Sequence, residues 1–482
     1  MRQIFFSLTL LLTLSCKAQE KPNLLIIHTD EHNFRTLGCY RDNMSEDQAF
    51  VWGKGVEVET PNINRIANEG AICLNFYASS PVCSPSRASM VSGMYPVKTA
   101  VVSNNIPMKD DIVTFAEVLK QEGYATSYLG KWHLDGDAKP GFSPERQFGF
   151  SNNKYMFNRG HWKLLDEVDG KPKLVGKFNP QTQNVKVSIK QADEKTFTTD
   201  FLTNKALDIM EADKGGPFCV MISLPDPHTP NIVRAPYDTM FDHLQFEKPK
   251  TMKVAKENFP KWVEPSGKNS ADHLEQHKMQ GYFGMVKCID DNVGRLLKFL
   301  DDNNLADNTI VVFTSDHGDL MGEHRRHNKG LPYETSAKVP FVIRYPKKID
   351  KGITIQKALT MVDFAPTVLG LMNMPQIPES EGLNASNDLA NTTKDLIDDR
   401  ITYITSSAGN WVCGLNNRYK LVLSKKDSPW LFDLVIDPDE IVNFYNQKGY
   451  EQISKEIKSE LIRQLKTYND PVLKSKTSLI LE

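Results

Sequence analysis

Four short apolar runs in this chain end in the same way, and that repetition constrains the fold more than any other feature. Leu24-Leu25-Ile26-Ile27 runs into His28-Thr29-Asp30-Glu31-His32. Residues 125–129 lead into Gly130-Lys131-Trp132-His133, residues 218–224 into Pro225-Asp226-Pro227-His228, and residues 310–313 into Thr314-Ser315-Asp316-His317. An unbroken apolar run of this length fits a strand buried on both faces, as parallel strands are. Helical patterns lie between the runs: Thr60-Pro61 opens one, residues 114–121 carry another, and longer amphipathic stretches cover 197–212 and 271–303. In the last, Met285, Ile289, Val293, Leu296 and Leu297 recur at helical spacing. Strands alternating with helices predict an α/β fold, a doubly wound and mostly parallel sheet flanked by helices. Ligands bind such sheets outside the C-terminal strand ends, where all four runs place charged or imidazole side chains.

A fifth stretch has the composition of a reactive site. Pro81-Val82-Cys83-Ser84-Pro85-Ser86-Arg87-Ala88-Ser89-Met90-Val91-Ser92-Gly93 reads as a loop entering a short helix, with Pro85 in the first turn and Gly93 at the end. Cys83 then sits at a helix N-terminus, where free N–H groups favour negative charge, and Arg87 lies one turn on. Taken alone, Cys83 reads more readily as a small buried residue before a capped helix. Asp30, Glu31 and Asp316 converge on the same edge. Such carboxylates repel one another unless a cation joins them, and oxygen donors favour a hard ion such as calcium. Taken alone, Asp30-Glu31 also reads as a solvated cap. A zinc pair would want more histidines than these strand ends supply.

The chain has 482 residues, enough for one large domain and a smaller one. After residue 400, short strand candidates at 401–405, 411–412, 419–423 and 430–434 precede a helix over 453–468, which predicts a C-terminal α+β subdomain on an antiparallel sheet. The segment from 136 to 195 is polar and irregular, with at most a hairpin. Arg2 precedes an apolar run over residues 4–14, too short to span a bilayer, which reads as an export leader. Thr13-Leu14-Ser15-Cys16 is a loose lipobox that would leave a lipid anchor at Cys16; cleavage after Ala18 would release a soluble chain instead. The expected division is a leader at 1–18, a catalytic domain at 19–395 and a subdomain at 396–482, with export to the periplasm, cell surface or medium. A net charge of −2 supplies no field for nucleic acid. Seven cysteines without metal-like spacing give no disulfide framework, and Cys73, Cys219 and Cys288 read as core residues.

Cys83-x-Pro85-Ser86-Arg87 followed by Ser92-Gly93 resembles the signature of the formylglycine-dependent sulfatases, in the alkaline-phosphatase-like superfamily. Gly130-Lys131-Trp132-His133, His228 on its proline-rich turn, Asp316-His317 and Asn328-Lys329 resemble further motifs of that family. The resemblance implies that a maturation enzyme converts Cys83 to formylglycine, whose hydrated aldehyde is the nucleophile. It implies a calcium held by Asp30, Glu31, position 83, Asp316 and His317; Glu31 departs from the Asp or Gln more usual at its position. It further implies that Arg87, Lys131 and Lys329 offset charge on the sulfate, that His133 serves the formylglycine, and that His228 protonates the leaving alcohol. The implied substrates are sulfated oligosaccharides, such as ulvan, carrageenan or glycosaminoglycan fragments. A phosphonate or phosphate esterase of the same superfamily and a non-catalytic glycan-binding protein are the alternatives. For selectivity, Arg159, His161 and Trp162 in the irregular segment are expected to form a sugar-binding rim, with an aromatic face beside cationic donors.

Overall fold

The computed structural model describes residues 21–470 and 472, apart from 176, 180–183, 187–188, 190–191, 265–268, 391–398 and 407–408. The leader at 1–18, Cys16 and the expected boundary at 395/396 lie outside the described residues. Eight strands form one sheet: β1 (Asn23–Asp30), β2 (Ala71–Cys73), β3 (Ala125–Lys131), β4 (Met156–Phe157), β5 (Phe218–Pro227), β6 (Thr309–Ser315), β7 (Phe341–Arg344) and β8 (Ile353–Ile355), in the order β8-β2-β7-β6-β1-β5-β3-β4. The four apolar runs are the four contiguous central strands, all parallel: Leu24 pairs with Ile310 on one side and Cys219 on the other, and Phe218 with Ala125. Only β7 runs antiparallel to its neighbours.

The strands lack polar alternation because both faces are covered. Leu24 and Ile26 of β1 pack into one core with Ala88, Met90 and Val91 of α1 (Cys83–Ser92). Leu25 and Ile27 pack into the opposite core with Phe201, Leu202, Ala206 and Met210 of α2 (Thr198–Asp213) and Ile289, Val293, Leu296 and Leu297 of α3 (Gln276–Asp302). Helix α3 begins five residues later than its periodicity predicts, and ahead of it the Ala271 N–H donates to the Arg325 carbonyl at 2.8 Å.

A second sheet of four antiparallel strands, β9 (Thr402–Thr405), β10 (Trp411–Leu415), β11 (Tyr419–Ser424) and β12 (Trp430–Asp433), follows in sequential order. Its closing helix α4 (Glu451–Thr467) buries Ile457, Leu461 and Leu465 against Val412, Leu421 and Leu423. The irregular segment contains the expected hairpin, Leu165–Val168 with Lys171–Leu174. It also supplies β4, which extends the main sheet beside β3 and carries residues 158–163 to the strand edge.

Candidate active site

Val82 is extended (φ −146°, ψ 143°), the helix starts at Cys83, and Gly93 ends it in the left-handed region (φ 69°). Arg87 therefore lies beneath Cys83, and its guanidinium spans the strand ends. Nε donates to Asp316 Oδ2 and Nη2 to Asp30 Oδ2, each at 2.9 Å, while Nη1 donates to the Lys131 carbonyl and Ser223 Oγ, each at 2.7 Å. Arg87 thus pairs with both aspartates, at the site where the resemblance implies that it offsets charge on the sulfate.

Four side chains converge above it. The ligand atoms of Asp30, Cys83, Asp316 and His317 all lie within 4.8 Å of one another, with Cys83 Sγ 3.2 Å from His317 Nε2 and 3.8 Å from Asp30 Oδ1. His317 Nδ1 is 2.9 Å from the Gly318 carbonyl, which makes Nδ1 the protonated nitrogen and aims Nε2 inward. Burial would raise the Asp30 carboxyl, but Lys131 and Arg87 hold it well below the usual range. Burial would lower His317, yet Asp316 draws it up to about 9. Two carboxylates and an imidazole are thus aimed at one point, their charge balanced from outside by Arg87 and Lys131. The two carboxylates fit a divalent cation, and position 83 would complete a hard site as an oxygen donor rather than as the thiol.

Glu31 does not join that group. Its φ of 65° is strained for a side-chain-bearing residue. It is fixed by its N–H donating to Asp316 Oδ1 at 3.1 Å and its carbonyl accepting from Tyr282 Oη at 2.7 Å. The turned side chain, a methylene longer than Asp, meets His228 Nε2 at 3.0 Å and Lys329 Nζ at 3.3 Å. Neither contact has hydrogen-bond alignment. Burial pushes its carboxyl up to about 8 despite Lys329.

The wall opposite the cage is cationic and imidazole. Lys131 pairs with Asp30 and lies 2.8 Å from His161 Nε2; Lys329 lies 2.8 Å from His228 Nε2. Burial and the neighbouring lysines hold both imidazoles well below their ordinary range. Asp30, His161 and His228 also bring ligand atoms within 4.8 Å of one another, but two ammonium groups point at the imidazole nitrogens, and this corner suits an anion. Burial and the Lys131–Lys329–His317 charges act oppositely on Cys83, and the charges hold its thiol well below the ordinary value. His133 (φ 65°) is buried beside Cys83 with Nε2 3.3 Å from Asn105 Oδ1.

The expected sugar rim is rearranged. Arg159 is partly exposed and pairs with Asp137 at 2.9 Å. Trp162 is buried, its Nε1 donating to the Arg159 carbonyl at 2.8 Å, so no aromatic face is offered to solvent. His161 points into the site. Sequence reading missed Asn105, Ser223 and Tyr282, whose types and spacing carry no signal. A cavity of about 720 Å³ is lined by Thr229, Pro230 and Asn328, the chain neighbours of His228 and Lys329, with Asn269, His273 and Tyr282.

Known proteins share both sequence and architecture. The family model described as Sulfatase matches residues 22–374, and one described as N-sulphoglucosamine sulphohydrolase, C-terminal, matches residues 322–467. The chain is 27% identical to an N-acetylglucosamine-6-O-sulfatase of Bacteroides thetaiotaomicron, over 94% of this chain and 87% of that protein. It is 29% identical to an ulvan-active sulfatase of Formosa agariphila, over 93% and 82%. A solved protein in complex with its substrate D-glucosamine-2-N,6-O-disulfate has the same fold, with a TM-score of 0.76 at 24% identity over 95% of this chain and 100% of that one.

Proposed function

Since this chain belongs to the sulfatase family and is a sulfuric ester hydrolase, we propose that it removes sulfate from sulfated carbohydrates, with formylglycine at position 83 and calcium held by Asp30, Asp316 and His317. The observation that carries this reading is the placement of Cys83 at a helix N-terminus, between a cage of anionic donors and a wall of Lys131, Lys329, His161 and His228. The relatives named N-acetylglucosamine-6-O-sulfatase and ulvan-active sulfatase support a saccharide substrate, as does the open cavity beside His228 and Lys329.

Once formed, the aldehyde hydrate would supply an oxygen nucleophile and the cation would polarise the sulfate. The chain's own residues do the rest. Arg87 holds Asp30 and Asp316 in register, so the cage is preorganised. Lys131 and Lys329 bind sulfate oxygens from the opposite side. His228, whose Nδ1 lies 2.8 Å from the Thr229 carbonyl, turns Nε2 to the leaving oxygen and, as the imidazolium that a docked anionic ester favours, delivers its Nε2 proton there. His133 is placed to take a proton from position 83. We further propose that residues 1–18 export the chain, that catalysis resides in residues 19–395, and that a formylglycine-generating enzyme matures it. Mass spectrometry of the Cys83 peptide, with sulfate release measured on a panel of defined sulfated oligosaccharides, tests the reading. Hydrolysis of aryl sulfate with no release from any saccharide would overturn the substrate class; an active sample with only unmodified Cys83 would overturn the nucleophile.

A further inference from the structure

Residues 158–163 turn two side chains inward, and both grip the same histidine. His161 lies flat on His228, with ring centroids 3.4 Å apart and planes within 5° of parallel, while its Nε2 faces Lys131. Lys163 is buried; its ammonium pairs with Asp226 and lies 3.1 Å from the His228 carbonyl and 3.1 Å from Met285 Sδ. The other Asp226 oxygen accepts from Thr199 Oγ1 at 2.7 Å. A buried ammonium is stable only when well paired, and this one is paired to the turn that carries His228. The imidazole is thus held on its face by His161 and along its backbone by Lys163.

We propose that His161 and Lys163 are positioning residues that aim His228 at the leaving oxygen, which rests on the reading above of His228 as proton donor. In that step His228 reacts as an imidazolium, its second proton taken from solvent onto Nε2 as the anionic ester docks beside it and Lys329; the bond from sulfur to the leaving oxygen breaks, its electron pair stays on that oxygen, and the Nε2 proton passes to it. That leaves a neutral alcohol and a neutral imidazole; an oxygen nucleophile at position 83 would take the place of the leaving oxygen on sulfur and lose its own proton to His133. Proton delivery helps in proportion to the aim of the donor and the basicity of the leaving oxygen. A brace for the donor therefore changes leaving-group dependence, which a merely structural residue does not.

The test is kcat of matured enzyme on aryl sulfates graded from para-nitrophenyl to para-methoxyphenyl sulfate, none of which carries sugar groups for His161 to hold. In His161→Ala the ratio of kcat on the first to kcat on the last rises about tenfold or more, and His161→Phe, which keeps a stacking ring, recovers most of it. Lys163→Met raises the ratio as well, and the Lys163→Met/Asp226→Asn double variant does so without leaving a carboxylate unpaired. His228→Ala sets the maximum change. An unchanged ratio in the His161 and Lys163 variants, beside a raised one in His228→Ala, overturns the brace while leaving the donor in place. An unchanged ratio in His228→Ala overturns the donor and the brace together.

Discussion

Two of the charge clusters buried in this molecule are completed differently. Where the second sheet meets the first, Lys420 is fully buried and donates to Glu334 Oε1 at 3.1 Å and Glu440 Oε1 at 2.7 Å. The other Glu334 oxygen meets Lys338 and accepts from Tyr77 Oη at 3.4 Å; the other Glu440 oxygen accepts the Glu334 N–H at 2.7 Å. Every carboxylate oxygen there has a donor. At the strand edge the charges are just as deep, yet both Glu31 oxygens lack an aligned donor and four ligand atoms crowd one point. Removing charge from water is unfavourable in either place. The first cluster offsets it internally and acts as a rivet; the second leaves lone pairs and donors aimed at a shared volume. Saturation marks the structural cluster and incompleteness the functional one.

The largest way to break that contrast is Cys83→Ala. Turnover is expected to fall by about 10⁴-fold or more, while the urea midpoint stays at the wild-type value, because Lys131 keeps Asp30 and Lys329 keeps Glu31 as partners. A midpoint shift matching that of the Lys420 variant below would erase the distinction. Next is Asp316→Asn, which removes charge from the cage and from Arg87 together, and about 10³-fold in kcat should go with it. Chelation should inactivate the wild type and added calcium restore it. Full activity in a demonstrably metal-free sample would sink the cation.

The saturated cluster should respond in the opposite currency. Lys420→Met leaves Glu440 without a cation and Glu334 with Lys338 alone, so stability is expected to drop by about 3–5 kcal/mol, read from urea unfolding. The kcat of the protein that remains folded should stay within about twofold of wild type. A stability loss below about 1 kcal/mol would mean that the rivet contributes little.

The same contrast explains what could be read in advance. Residues 24–27, 125–129, 218–224 and 310–313 announced the central sheet because strands covered on both faces need no alternation, and their charged ends announced the site. Glu31 was misplaced because its direction is set by a positive φ, held by Asp316 and Tyr282 more than 250 residues away. β4 has two residues, too few for any period to show, so nothing local revealed that residues 158–163 reach the sheet edge. The Lys163–Asp226 pair joins residues 63 apart, and neither side chain signals the other. Trp162 looked like a platform because aromatic-plus-cation composition does not distinguish a ring turned out from one buried beneath its own backbone.

The smallest effect sharpens the comparison from outside both clusters. Arg159 pairs with Asp137 at 2.9 Å, but the arginine side chain is 27% exposed and the aspartate 83%, so solvent already satisfies both. An ion pair of that kind contributes about 0–1 kcal/mol, and Arg159→Ala should leave the urea midpoint nearly unmoved. What the guanidinium retains is reach: it stands two residues from His161, free to exchange Asp137 for a sulfate or carboxylate on a second sugar. That exchange would cost little, since one exposed charge-assisted pair replaces another. Arg159→Ala should therefore lower kcat/KM several-fold, about 1 kcal/mol, on a sulfated oligosaccharide and leave para-nitrophenyl sulfate unaffected. Equal losses on both substrates, or no loss on either, would place Arg159 with the inert surface pairs and leave substrate choice to the cavity beside His228.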